Sequence, residues 1–213
     1  MEKVFPKVFL WMFVGLMLTF GVAYYISTQP TIYNNLFSGS KYFIIWIIEI
    51  VVVVVLSARI NKLSIMSARI LFLLYSFITG LTVSSIFIVY SIGSIIYVFL
   101  IAAILFLLFG LIGYFTKLDL SKLGSILLMA LIGCLICVII NIFVNSEVFN
   151  LGITIVMVLD FLGYIAYDMQ VIKRNHYNIE DEDKLAIIGA LELYLDFINL
   201  FLRLLSLLGK SKD

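Results

Sequence analysis

Residues Glu192 to Leu205 read ELYLDFINLFLRLL, an apolar run that nevertheless carries Glu192, Asp196 and Arg203. Glu192 and Asp196 are four apart and Asp196 and Arg203 are seven apart, so all three share one helix face. Three further acids, Glu49, Asp160 and Asp168, also stand inside apolar runs. In hydrocarbon each charge costs at least ~2.5–3.5 kcal/mol on insertion scales. Such groups therefore face a bundle interior, pair with one another, or line water. An ion pair that locks two helices is one reading. The other is a path for protons or cations. Two carboxyls brought together at low dielectric cannot both ionise cheaply, so they titrate as a unit and can switch with pH. Their oxygens also suit a hard cation such as Ca²⁺.

The elements that must position these groups follow from composition. The chain has 213 residues, of which 64% are hydrophobic and 13% charged. Its mean hydropathy is +1.19. A soluble domain of this size needs far less apolar surface, so the surplus faces lipid. A helix needs about 20 mostly apolar residues to cross the hydrocarbon. Seven such spans are expected, at 8–27, 42–58, 68–89, 94–115, 124–143, 151–172 and 185–207. They fill the chain as a single domain, 1–213. The stretch 8–27 exceeds a signal-peptide core and lacks a small-x-small site after it, so it is read as the first span. Pro6 and Pro30 both fall outside the spans, leaving helix interiors free of the usual kinking residue. A net charge of +1 argues against a nucleic-acid partner.

Basic residues orient the chain. Lys3, Lys7, Arg59, Lys62, Arg69, Lys117, Lys122, Lys173, Arg174 and Lys184 lie on one side. Lys41, Arg203, Lys210 and Lys212 lie on the other. The amino end is thus expected in the cytoplasm and, after seven crossings, the carboxyl end outside.

Depth sorts the intramembrane charges. Glu49 and Arg203 both lie toward the outer side, and a salt bridge between the second and seventh spans suits them. Asp168 lies near the cytoplasmic side, five residues before Lys173, and could meet Arg59 or Asp196. Equal counting from the connecting loop instead puts Asp160 level with Asp196.

The stretches Tyr167-Asp168-Met-Gln-x-Ile172, LYLDFINLF at 193–201 and YSFITGLTVSSI at 75–86 resemble the Bax inhibitor-1 family, also called transmembrane Bax inhibitor motif proteins. The resemblance in span number covers nearly the whole chain. It implies an all-α bundle of seven transmembrane helices with the seventh central. It also implies a pH-sensitive Ca²⁺ leak whose sensor aspartates map onto Asp168 and Asp196, which would also be the Ca²⁺ ligands. A basic residue ending the second helix latches the closed pore in relatives; Arg59 is the nearest match and Lys62 the reserve. Glu49 matches an acidic family position. Two departures stand out. The family carries its arginine one turn beyond Arg203, where this chain has Ser206. Asp160 has no recognised counterpart, and with Glu192 it could enlarge the acidic site.

The expected mechanism is that Asp168 and Asp196, sharing a proton or bridged to Arg59, hold the second, sixth and seventh helices together. A change of protonation then moves the second helix and lets Ca²⁺ run down its gradient. Ca²⁺ is the transported ion, no cofactor is expected, and the partners are the lipid bilayer and the ion. By that resemblance, the short amino end implies a bacterial plasma-membrane member.

Three rival readings use the same residues. A proton-coupled cation exchanger would move cations uphill on a pH gradient. An intramembrane aspartyl protease fits Tyr167-Asp168, but its Gly-x-Gly-Asp and Pro-Ala-Leu segments are absent, so no enzyme is expected. A non-transporting scaffold would be impermeable. Cys134-x-x-Cys137 has redox spacing but reads better as small packing residues in an apolar helix. His176 reads as a solvated loop residue.

Overall fold

A computed structural model describes residues 4–39, 41–59, 63–175 and 181–212, with side chains at all of these except 42 and 57–59. Among them nine helices account for nearly all of the chain, and the only extended pairing is an isolated bridge between Tyr90 and Ser211. They are α1 (Val4–Ser27), α2 (Pro30–Phe37), α3 (Lys41–Arg59), α4 (Ile65–Val83), α5 (Ile86–Val89), α6 (Ile92–Phe115), α7 (Ser121–Val144), α8 (Glu147–Asn175) and α9 (Glu182–Leu208).

Six stretches among the described residues are long and apolar enough to cross a membrane: α1, α4 with α5, α6, α7, α8 and α9. The expected span at 42–58 lies within α3, which is apolar over Phe43–Leu56, the continuous part whose side chains are described. Apolar side chains such as Phe13, Trp46, Ile104 and Phe143 are exposed on these helices, as lipid contact requires. α9 is buried along most of its apolar stretch, whereas little of α7 is.

Helix boundaries have local causes. Ser64 caps α4, its hydroxyl accepting the Ser67 amide at 3.2 Å. At the α4–α5 break the hydroxyls of Ser84 and Ser85 bond back to the carbonyls of Leu81 and Thr82. Such back-bonding competes with the helical ladder. α7 ends on Asn145 in the left-handed conformation, with φ of 49°, a residue type that tolerates it. Ser146 then accepts the Phe149 amide at 3.3 Å and starts α8. Two residues suffice to reverse the chain here.

The chain divides into two compact units. The first comprises Met1–Ile92, Ile179–Tyr194 and Ser211–Asp213, the second Gly93–Asn178 and Leu195–Lys210. α9 thus gives its first half to one unit and its second half to the other.

In the first unit α1 lies against α4 at two glycines. A Cβ on Gly15 would meet Phe72 Cζ at 2.6 Å, and one on Gly80 would meet the Thr19 carbonyl at 2.8 Å. The Thr19 hydroxyl donates to the Ser76 carbonyl at 2.8 Å and lies 2.5 Å from the Tyr194 hydroxyl. In the second unit α6 and α7 meet α8 in the same manner. A Cβ on Gly113 would fall 2.1 Å from the Ala166 carbonyl oxygen, and one on Gly163 would reach Leu127 at 2.7 Å. Close backbone approach at small residues is the usual basis of helix association in lipid, where no hydrophobic force drives it.

Candidate functional site

α8 is the platform of the site. Glu147 lies in its first turn and Lys173 and Arg174 in its last, charges placed favourably for the helix dipole. Its last turns are fastened to the end of α6 and the α6–α7 loop by three side chains. The Gln170 amide donates to the Leu118 carbonyl at 2.8 Å and accepts the Leu120 amide at 2.9 Å. Lys173 donates to the Tyr114 carbonyl at 2.6 Å and lies 4.7 Å from the centroid of that ring. Arg174 donates to Asp119 at 2.7 Å. The amide and hydroxyl of Ser121, with Arg174 beside them, hold the Asp119 carboxyl well below the usual carboxylate range.

Above this clamp Asp168 is buried, and its carboxyl shares a hydrogen bond with that of Asp196 on α9. An ionised carboxylate has only acceptors, so a carboxyl–carboxyl bond requires one proton on the pair. Equal counting had favoured Asp160 at this level. Eight residues separate the two acids along α8, about 12 Å at the helical rise, so the helices are offset by roughly two turns. α9 is held there by aromatic edges: Phe197 lies 5.3 Å from Phe99 and 5.7 Å from Phe106, and Phe201 lies 5.9 Å from Phe99.

Asp160 itself is 3% exposed, and neither carboxyl oxygen has a hydrogen-bond partner among the described residues. Glu192 is half-buried in the first unit. Glu49, which the sequence pairs with Arg203, belongs to the first unit and Arg203 to the second. Glu49 is half-buried and lies near the hydroxyls of Thr79 and Thr82 on α4. Arg203 lies within electrostatic reach of Cys134 on α7. The Arg59 side chain, Lys62 and His176 lie outside the described residues. Cys134 and Cys137 are free thiols, one buried and one half-buried. Among the described residues no group of three or more His, Cys, Asp or Glu side chains gathers as a metal site. The aspartate pair thus offers a cation fewer oxygens than the roughly 6–8 that Ca²⁺ takes in a closed cage.

The family model described as "Inhibitor of apoptosis-promoting Bax1" matches residues 1–213, the whole chain. The chain belongs to the Bax inhibitor family. Relatives include several bacterial proteins. The inner membrane protein YbhL of Escherichia coli is 43% identical over 218 residues, covering 100% of this chain and 93% of the relative. An uncharacterized protein of Borreliella burgdorferi is 42% identical over 217 residues, covering 100% and 94%. An uncharacterized membrane protein of Streptococcus pyogenes is 36% identical over 167 residues, covering 78% and 72%. This Bax inhibitor protein is therefore an integral membrane protein of a bacterial type, and the bacterial plasma membrane fits it.

Two features of this family member escape a reading of its motifs. Gln170 belongs to the Tyr-Asp-Met-Gln stretch, yet its work is to hold the α6–α7 loop. The acidic stretch after position 179 counts for little in orientation. In the first unit Asp183 nevertheless accepts from Lys7 at 2.6 Å and from Arg69 at 3.1 Å. Arg69 lies in turn 5.4 Å from the centre of the Trp11 ring. Opposite charges at the start of one span and of another gave the only available signal.

Proposed function

We propose that this Bax inhibitor protein is a pH-sensitive Ca²⁺ leak of the bacterial plasma membrane, with the Asp168–Asp196 pair as its sensor and a lining of its cation path. The observation that carries this reading is the hydrogen bond between two carboxyls on separate apolar helices. The bond exists only while the pair holds a proton. Losing that proton turns attraction into repulsion between two charges in a poorly screened site. The contact between α8 and α9 thus depends on proton concentration, and a passing divalent cation can take the proton's place between the oxygens.

In this reading α3 completes a set of seven spans, with α9 central and its burial supporting that position. Arg59, at the end of α3, is the latch, and Lys62 the reserve. The amino end faces the cytoplasm and the carboxyl end faces outward, as the distribution of basic residues supports. Glu49 and Arg203 serve as the ion pair between spans. The test is Ca²⁺ flux into proteoliposomes across a pH series. Asp168→Asn and Asp196→Asn should each abolish the pH dependence, and a wild-type pH response in both variants refutes the reading.

A further inference from the structure

In the second unit the last turns of α8 and the start of the α6–α7 loop enclose a small hollow outside the aspartate pair. It has a volume of about 150 Å³ and is lined by Thr116, Lys117, Leu118, Gln170, Lys173 and Arg174. Half of that lining is cationic. Asp119 answers one of the charges, since it pairs with Arg174 at 2.7 Å. Among the described residues no carboxylate pairs with Lys117 or Lys173.

Basic loops at one membrane face are common and need no ligand. Two observations go beyond that bias. The first is that the donors are held in place. Lys173 is fixed by the Tyr114 carbonyl at 2.6 Å, and an ammonium then has two N–H groups left. The Thr116 hydroxyl accepts the Leu118 amide at 3.2 Å and keeps its own proton to donate. Gln170 bonds the backbone of Leu118 and Leu120 and so fixes the loop that carries Lys117. The second is the apolar surface beside the charge: Phe115 is 70% exposed and Leu118 73%. The 24 residues of α6 rise about 36 Å, more than the roughly 30 Å of hydrocarbon, so the helix end lies at headgroup level.

We propose that this hollow binds the phosphate of an anionic phospholipid, with Lys117 and Lys173 as its charge partners and the acyl chains beside Phe115 and Leu118. Basic pockets among membrane helices recognise lipid head groups in this way, and bonds from ammonium to phosphate are charge-assisted. Free phosphate could use the same donors but would gain nothing from the two exposed apolar side chains. The bound head joins Lys117 of the loop to Lys173 of α8, and so adds to the Gln170 clamp.

Native mass spectrometry of the full-length protein in detergent, titrated with phosphatidylglycerol, phosphatidylcholine or inorganic phosphate, tests the site. Phosphatidylglycerol should bind tightest. Lys117→Gln should weaken it about fivefold, the effect of ~1 kcal/mol per basic residue. Lys117 is exposed and pairs with no described acid, so this variant should fold as the wild type does. Lys122→Gln removes the same charge from a residue outside the hollow and should leave the affinity unchanged. Equal losses in the two variants would mean diffuse attraction and overturn the site. Equal binding of the two lipids to the wild type overturns it as well. Inorganic phosphate binding as tightly as phosphatidylglycerol overturns the lipid assignment.

Discussion

At the scale of single residues the site depends on which acids touch. Sequence spacing put Glu192, Asp196 and Arg203 on one face and made Asp168 and Asp160 rival partners. It could not choose between them, because the offset between two helices depends on packing, here on Phe99, Phe106, Phe197 and Phe201. The role of Gln170 was equally hidden, since its partners are backbone groups of Leu118 and Leu120 that carry no residue signature. Gln170→Ala strands both groups, at about 1–3 kcal/mol for each if no water replaces the amide. It should lower the melting temperature of the detergent-solubilised protein, and an unchanged melting curve would show the clamp to be dispensable. The loop carries a pH signature of its own. Asp119 is depressed in the folded state, so its contribution is complete above its unfolded pKa and lost as pH falls through the folded value. Asp119→Asn should flatten the acid limb of a plot of melting temperature against pH.

At the scale of elements the spans were legible because lipid demands long apolar helices and hides nothing of their length. The short α2 and the break at Ser84–Ser85 were not. Each rests on local hydrogen bonding or chain direction, against which an apolar window is blind. Helix contacts were half legible: glycines inside spans announced close approach without saying which. Only a few meet backbone. Gly113→Ala would drive a methyl into the Ala166 carbonyl and force α6 from α8, an overpacking cost of about 1–3 kcal/mol or more. Gly133 has nothing within 4 Å of a Cβ, so Gly133→Ala should leave stability unchanged. Equal melting temperatures for the two variants would contradict the glycine contact.

At the scale of the whole molecule the fold class and family followed from composition and three motifs, while the side of the carboxyl end turns on whether α3 crosses. If α3 crosses, seven spans place Lys210 and Lys212 outside; if it does not, six return them to the cytoplasm. A carboxyl-terminal alkaline phosphatase fusion should be active and a fluorescent-protein fusion dark in bacterial cells. The opposite pattern would remove α3 from the spans and Arg59 from the latch. Asp168 and Asp196 bear on the account at every scale, and the proposed function requires that they act as one titrating unit. The direct measurement is the pH profile of Ca²⁺ flux for Asp168→Asn, Asp196→Asn and the double variant together. A shared proton predicts that the double variant behaves as either single does, with no further loss of pH response. Losses that add from one single to the other would mean two independent acids, and would contradict the account.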